Sequence, residues 1–296
     1  MSLNVRELLL EAIGVIGETA VVTDSASYLP SGIIQQFGIS VIPMTVVVDG
    51  IACQEFVDLD APEFYRRLAS GAPVSTSQPS PGRFLEQYER LIVKGAQRIV
   101  SIHIGSALSG TVNSARIAAG ISAVPVHVID SGQVSFIEGL CVWEGCDVLA
   151  AGGSVRDVAQ AVRRASEQAG NVFVVRGLTL LKAGGRMTEC PEKEPGSVPI
   201  LALVADAVRP VGTASTVEEA MESIVGWLEA AMRRQPDKRF RVGVANGDAE
   251  ELANELAFRV SALPSVDEVV PYIIGPSVGA HTGSGCTGLS FLGRPI

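Results

Sequence analysis

Short β-branched runs alternate along the chain with longer stretches whose apolar residues recur at helical spacing, and this layering predicts an α/β protein. Thr19–Val22 reads as a strand and Pro30 opens a helix that ends at Phe37. Val41–Val48 reads as one further strand, turned by Asp49-Gly50 into Ile51–Val57. A short helix over Pro62–Ala69 and a loop over Gly71–Gly82 lead into another helix. A strand over Arg98–Ile104, a helix reaching Ala119 and a strand over Val126–Ile129 follow, then helices over Gln133–Ala151 and Ser154–Ala169. The second half offers strands over Asn171–Val175, Val198–Val204, Ala207–Val211, Phe240–Ala245, Val266–Ile274 and Leu289–Leu292. Its helices are predicted over Leu178–Ala183, Val217–Arg234 and Asp248–Ser261, with a loop over Pro191–Pro199. The change of pattern near Ala169-Gly170 divides the chain into two expected domains, residues 1–169 and 170–296.

At 296 residues, the chain can bury a full core without disulfide or metal staples. Its net charge of −9 and the lack of any Lys/Arg run argue against nucleic acid and anionic lipid surfaces as partners. A mean hydropathy of +0.32 raises the question of a membrane span. The apolar stretches are all interrupted, Leu8–Ile16 by Glu11, Val172–Leu181 by Arg176 and Ser197–Val208 by Asp206. None reaches the ~20 clean residues that a spanning helix needs, so no stable membrane insertion is expected. The amino terminus carries Glu7, Glu11 and Glu18 and no basic leader, unlike a secretory signal. Five cysteines without a Cys-x-x-Cys pair read as reduced thiols in a cytoplasm. The excess of apolar residues is therefore expected inside, in a core or an apolar cavity.

Candidate chemistry gathers just after apolar strands. Thr23 and Ser25 follow the first strand, Ser106, Ser109 and Thr111 follow Arg98–Ile104, and Ser131 follows Val126–Ile129. In an open parallel sheet all of these lie at the carboxyl edge, where ligands bind. Ser75-Thr76-Ser77 precedes a helix whose free amides favour an anion, although hydroxyl residues are also ordinary caps and turn formers. His281 lies in a small-residue loop that lets a ligand approach the backbone closely, and a lone loop histidine is more often a structural hydrogen-bonder than a catalyst. His103 and His127 sit within strand patterns and read as satisfied core or edge histidines. With three scattered histidines, no metal site is expected. Gly283–Gly288 spells G-x-G-x-x-G but leaves no room for the helix and strand a dinucleotide site requires. P-loop and G-x-S-x-G signatures are missing as well. Arg186, after Gly184-Gly185, is either an anion contact or a helix-end arginine beyond a glycine cap.

Taken together, Thr23-Asp24-Ser25, Thr76-Ser77-Gln78-Pro79-Ser80, Leu108-Ser109-Gly110-Thr111, Asp130-Ser131, Gly184-Gly185-Arg186 and His281-Thr282-Gly283 resemble the DegV family. These are bacterial fatty-acid-binding proteins that act as the lipid-carrying subunit of fatty acid kinase. The resemblance runs from about Thr19 to Leu292 and implies a parallel α/β domain followed by an α/β domain with a mainly antiparallel sheet. It further implies one long-chain fatty acid between or within these domains, and no other cofactor. Its carboxylate would be held by Ser75, Thr76, Ser77, Ser106, Ser109, Thr111, His281 and Thr282, with Thr23, Asp24, Ser25 and Ser131 forming a secondary pocket. Arg186 would face the kinase's catalytic protein, which would supply ATP, metal and catalysis, so this chain itself is expected to be non-catalytic. The chain departs from the family at Ser197–Leu201, where a basic Lys-Pro segment is usual.

An enzyme reading stands beside the carrier: a stand-alone α/β hydrolase or transferase in which Ser109 or Ser77 works with His281 on an acyl or phosphate substrate. A structural or regulatory interaction protein is the third reading.

Overall fold

The computed structural model describes residues 14–187, 196–204 and 207–295. The sequence readings on the apolar stretch before Gly14, on the start of the Pro191–Pro199 loop, on Cys190 and on Asp206 lie outside the described residues. In chain order the elements are β1 (Thr19–Asp24), α1 (Ser31–Phe37), β2 (Ser40–Ile42), β3 (Thr45–Val48), β4 (Ile51–Gln54), α2 (Ala61–Ala69), β5 (Val74–Ser77), α3 (Pro81–Val93), β6 (Arg98–His103), α4 (Thr111–Ala119), β7 (Val126–Asp130), α5 (Phe136–Ala150) and α6 (Val155–Gln168). There follow β8 (Gly170–Val174), α7 (Thr179–Ala183), β9 (Val198–Val204), β10 (Ala207–Ala214), α8 (Val217–Arg234), β11 (Lys238–Gly247), α9 (Glu250–Ser261), β12 (Val266–Ile273), α10 (Pro276–Thr282) and β13 (Cys286–Pro295). Two compact units result: residues up to Asp60 with Pro73–Glu167, and Ala61–Ala72 with Gln168–Ile296. The change of unit falls at Gln168, beside the sequence boundary, while α2 groups with the second unit although it is encoded within residues 1–169.

In the first unit a four-stranded sheet runs in the order β2-β1-β6-β7 with every pair parallel. Alternation along β1 directs Ala20 and Val22 toward a core they share with Phe84, Tyr88 and Leu91 of α3 and Ala115 and Ala118 of α4. The opposite face is closed by α5, whose Phe136, Ile137, Leu140, Cys141 and Val142 are all buried. Helix α5 approaches the single 3₁₀ turn Ser25–Ser27 so closely that a Cβ on Gly139 would stand 2.4 Å from the Ser27 carbonyl oxygen. A second, antiparallel sheet has the order β4-β3-β5. Its β3–β4 hairpin turns on Asp49 (φ 53°) and Gly50 (φ 76°), the pair of positive φ values that a tight two-residue hairpin demands.

The second unit is a six-stranded sheet, β10-β9-β8-β13-β11-β12, antiparallel except between β11 and β12. Helices α8 and α9 pack on one face through Met221, Ile224, Leu228, Leu256 and Val260 against Val172, Phe240, Val242, Leu289 and Phe291. Helix α8 begins where Thr216 accepts the Glu219 amide at 3.1 Å and Glu219 accepts the Ser215 amide at 2.7 Å, so each side chain caps the other's segment.

Four readings of the chain need correction. Val41–Val48 is two strands in different sheets, because Pro43 cannot donate to a ladder and Met44 turns the chain. The expected loop Gly71–Gly82 contains β5, whose hydroxyl residues lack an apolar signal and are recruited by pairing with β3. His281 lies on α10 rather than in a loop; small residues concealed that helix. The final strand extends over ten residues, since β11 pairs along its whole length.

The Gly139 contact predicts that Gly139→Ala lowers stability by about 1–3 kcal/mol, the usual cost of forcing volume into a packed core. Urea denaturation of the purified variant measures it.

Candidate functional site

The order in which strands are added reverses between β1 and β6: the chain steps from β1 outward to β2, then crosses to β6 and continues to β7. Outside the carboxyl ends of such a pair lies the crevice where open α/β sheets bind their ligands. Asp24 ends β1 and His103 ends β6, both fully buried. The Asp24 carboxylate accepts the Ala26 amide at 3.1 Å, the Ile104 amide at 3.1 Å and His103 Nδ1 at 3.0 Å. His103 Nε2 lies 2.6 Å from Ser101 Oγ, which lies 2.9 Å from the Tyr88 hydroxyl. Burial pushes the Tyr88 phenol up to about 12, so it enters this chain of hydrogen bonds uncharged.

Around that frame stand the hydroxyl segments. Ser109 Oγ is 2.8 Å from Thr111 Oγ1 and accepts the Thr111 amide at 3.3 Å, at the start of α4. Thr111 Oγ1 also points to Met44 Sδ at 3.7 Å. Gly110 between them faces Gln78 so closely that a Cβ would meet its amide group at 3.0 Å. The Ser-Gly-Thr and Thr-Ser-Gln-Pro segments, some thirty positions apart in sequence, therefore touch. Ser106 is exposed, with its amide held by Asp130 at 3.2 Å. On β5 the side chains alternate. Thr76 pairs with Val46 on the buried face of the small sheet, while Ser75 and Ser77 pair with Val47 and Thr45 on the other and are exposed. One ligand atom cannot meet all three side chains from one side.

The residues expected to form a secondary pocket are buried and engaged with the protein. Thr23 donates to Glu138 Oε1 at 3.3 Å, and Ser25 donates to Glu55 while accepting the Met44 amide at 2.9 Å. Ser131 closes a turn on Gln133, donating to its carbonyl at 3.3 Å and accepting its amide at 3.1 Å. Glu55 and Glu138 escaped the reading of the sequence. The available signal was a carboxylate inside an apolar run, as in Phe136-Ile137-Glu138-Gly139-Leu140.

His281, Thr282 and Arg186 belong to the second unit. Gly184 caps α7, and a Cβ there would stand 2.3 Å from His281 Nδ1; only glycine lets the ring lie against this turn. Burial first, and then the Arg186 charge, lower His281 to about 4. The imidazole is neutral at physiological pH. An unfolded chain takes up that proton near 6.5, so the contribution of His281 to stability is present above that pH and falls as pH drops toward 4. Arg186 is half-buried, its guanidinium donates to the Gly184 carbonyl and its own carbonyl accepts the Val208 amide at 3.2 Å. Thr282 is turned inward, donating to the Val278 carbonyl at 3.2 Å. Among the described residues no group of His, Cys, Asp and Glu side chains is arranged to hold a metal ion, and no helix is long and apolar enough to cross a membrane. Cys53, Cys141, Cys146 and Cys286 are buried and form no disulfide.

A parallel α/β unit with a hydroxyl-lined switch point, joined in one chain to an α/β unit with a mainly antiparallel sheet, defines the class. The model of the family described as "Uncharacterised protein, DegV family" matches residues 18–294, and the chain belongs to the DegV family. A DegV domain-containing protein of Streptomyces coelicolor is 31% identical over 274 residues, covering 91% of this chain and 96% of its own. The fatty-acid-binding DegV family protein of Thermus thermophilus is 28% identical, with a TM-score of 0.88 over 94% of this chain and 100% of that one. DegV of Bacillus subtilis, a fatty acid binding protein, is 26% identical with a TM-score of 0.85, over 94% and 99% of the two chains.

Two outcomes are expected for His281. In the wild type its ring signals titrate by NMR with a midpoint about 4. In Gly184→Ala, which pushes the ring off the turn, the midpoint moves up toward the ordinary value of about 6.5.

Proposed function

We propose that this protein binds one long-chain fatty acid and presents its carboxylate to a separate fatty acid kinase, which phosphorylates it to the acyl phosphate. The observation that carries the reading is the contact of Gly110 with Gln78, which brings the Ser109–Thr111 and Thr76–Gln78 segments to one place. Membership of the DegV family and likeness to the fatty-acid-binding proteins of Thermus thermophilus and Bacillus subtilis support it.

The residues suit this chemistry. Burying ~14 methylenes is worth roughly 11 kcal/mol gross at about 0.8 kcal/mol each. Immobilisation takes back several kcal/mol of that, and tight binding still needs no strong head-group clamp. Neutral hydroxyls satisfy a carboxylate while leaving it more open to attack on a phosphoryl group than a bidentate arginine would. In this proposal Thr76, Ser106, Ser109 and Thr111 contact the acid, with Ser75 and Ser77 offering backbone groups or the opposite face. Thr23, Asp24, Ser25 and Ser131 support the loops rather than touch the ligand. The family resemblance assigns the same carboxylate to His281 and Thr282, and the kinase-facing role to Arg186. A neutral His281 would serve as a hydrogen-bond donor. The lack of a P-loop in the sequence leaves ATP, metal and catalysis to the partner, with this chain non-catalytic.

Organic extraction of the purified protein followed by mass spectrometry is expected to yield long-chain fatty acid at about one equivalent. Protein without lipid, or ATP-dependent acyl phosphate formation by this chain alone, overturns the proposal. Ser109→Ala and His281→Ala are each expected to weaken fatty-acid affinity about 10–100-fold, the value of a hydrogen bond to a charged group, as measured by fluorescent fatty-acid displacement.

A further inference from the structure

Behind the hydroxyl loops, Asp24, Glu55 and Glu138 come together in the first unit without any solvent exposure. They arrive from the end of β1, the segment after β4 and the first turn of α5. Glu55 accepts the hydroxyls of Ser25 and, at 3.4 Å, Tyr28, as a carboxylate does. Glu138 differs. Its Oε1 accepts from Thr23, while its Oε2 is buried with no donor facing it. A buried carboxylate oxygen without a donor costs far more than folding ordinarily tolerates. The other buried acids around Glu138 are Asp24, the stronger influence, and Glu55, and the negative charge of each opposes ionisation of Glu138.

The lone pairs of Asp24 point the same way. A carboxylate offers about four acceptor sites. Ala26, Ile104 and His103 fill three of them, and each is an N–H donor. The fourth is open to an O–H donor, which Glu138 supplies once it carries a proton.

We propose that Asp24, Glu55 and Glu138 form a proton-holding cluster in which Glu138 stays an uncharged acid, donates to Asp24, and so positions the turn and loop roots behind the hydroxyl segments. The connections are direct. Asp24 holds the Ile104 amide, where the chain leaves β6 for Ser106, Ser109 and Thr111. Ser25, held by Glu55, fixes the Met44 amide, and Met44 Sδ receives Thr111. Glu138 fastens α5 to Thr23 near the end of β1, next to the close approach of Gly139 to the turn that follows. It is a positioning residue, acting through Asp24.

The groups that face Glu138 all favour the acid form except Thr23. Burial is the largest cause, followed by the charge of Asp24, the hydrogen bond with it, and the charge of Glu55, and together they raise Glu138 well above the ordinary carboxylate range. On its own helix Cys141 is a buried thiol that burial and the nearby Glu138 and Glu144 push up, so it contributes no charge. His103 and Tyr28 face the cluster through Asp24 and Glu55. Folding therefore takes up a proton: above about pH 4.3 the unfolded chain releases it and the native chain keeps it, so rising pH weakens the native state.

The test needs no lipid. Infrared difference spectra of protein labelled with ¹³C-glutamate are expected to show a protonated-carboxyl C=O band at neutral pH that Glu138→Gln lacks. No such band in the wild type, or a band that persists in Glu138→Gln, overturns the proposal. Urea unfolding across about pH 5–8 gives the second readout. The folding constant of the wild type relative to Glu138→Gln, whose amide can still donate to Asp24, is expected to fall by up to about tenfold per pH unit. Parallel curves overturn the proposal too. Should Glu138→Gln fail to fold, Asp24→Asn replaces it: the band shifts if the proton lies between the two groups, and an unmoved band overturns the idea.

Discussion

A carboxylate shut away from water persists only if the protein brings it donors, and Asp24 receives three, from its own turn and from the end of β6. The Ala26 amide comes from the turn that follows β1, the Ile104 amide from the chain leaving β6, and His103 Nδ1 from the end of β6 itself. Loss of the carboxylate would strand those donors in a dry interior, where each unmet group costs about 1–3 kcal/mol. Asp24 thus ties the turn after β1 to the end of β6, and the Ser106–Thr111 segment starts from an amide that it holds.

The same economy of parts runs through both units. Glycines act as points of close approach: Gly139 lets α5 meet the 3₁₀ turn, Gly110 lets two hydroxyl segments touch, and Gly184 admits the His281 ring. Ionisable groups are kept neutral where charge would oppose the role, His281 beside Arg186 and Tyr88 beneath Ser101. In the first unit, the hydroxyl-lined edge offers neutral donors.

Much of this arrangement could be read in the sequence. Helix α8 was legible because its apolar residues keep helical spacing from Val217 to Arg234. The β3–β4 hairpin was legible in Asp49-Gly50, since few other residues accept positive φ twice in succession. The strands of the parallel sheet showed as β-branched runs, and the clustering of Ser and Thr after them located the carboxyl edge. Strand β5 was not legible, because Ser75, Thr76 and Ser77 pair only when β3 is beside them. Helix α10 was masked by Gly279, Ala280 and Gly283, whose small side chains match a loop as well as a tightly packed helix.

By itself, then, the order of residues determined the α/β alternation, the two differing halves, the motifs of the family and the positions at which hydroxyls gather, all of which depend on local propensity and spacing. Only the tertiary structure decided which hydroxyls are available. Thr23, Ser25 and Thr282 look like Ser109 in the sequence, yet they are engaged with Glu138, Glu55 and the Val278 carbonyl, whereas Ser109 is bonded to Thr111 within its own segment. It also decided that Glu55 and Glu138, 83 positions apart, share one dry site with Asp24. The reason is physical: hydrogen-bond partnership and burial depend on groups distant along the chain, and no window of neighbouring residues contains them.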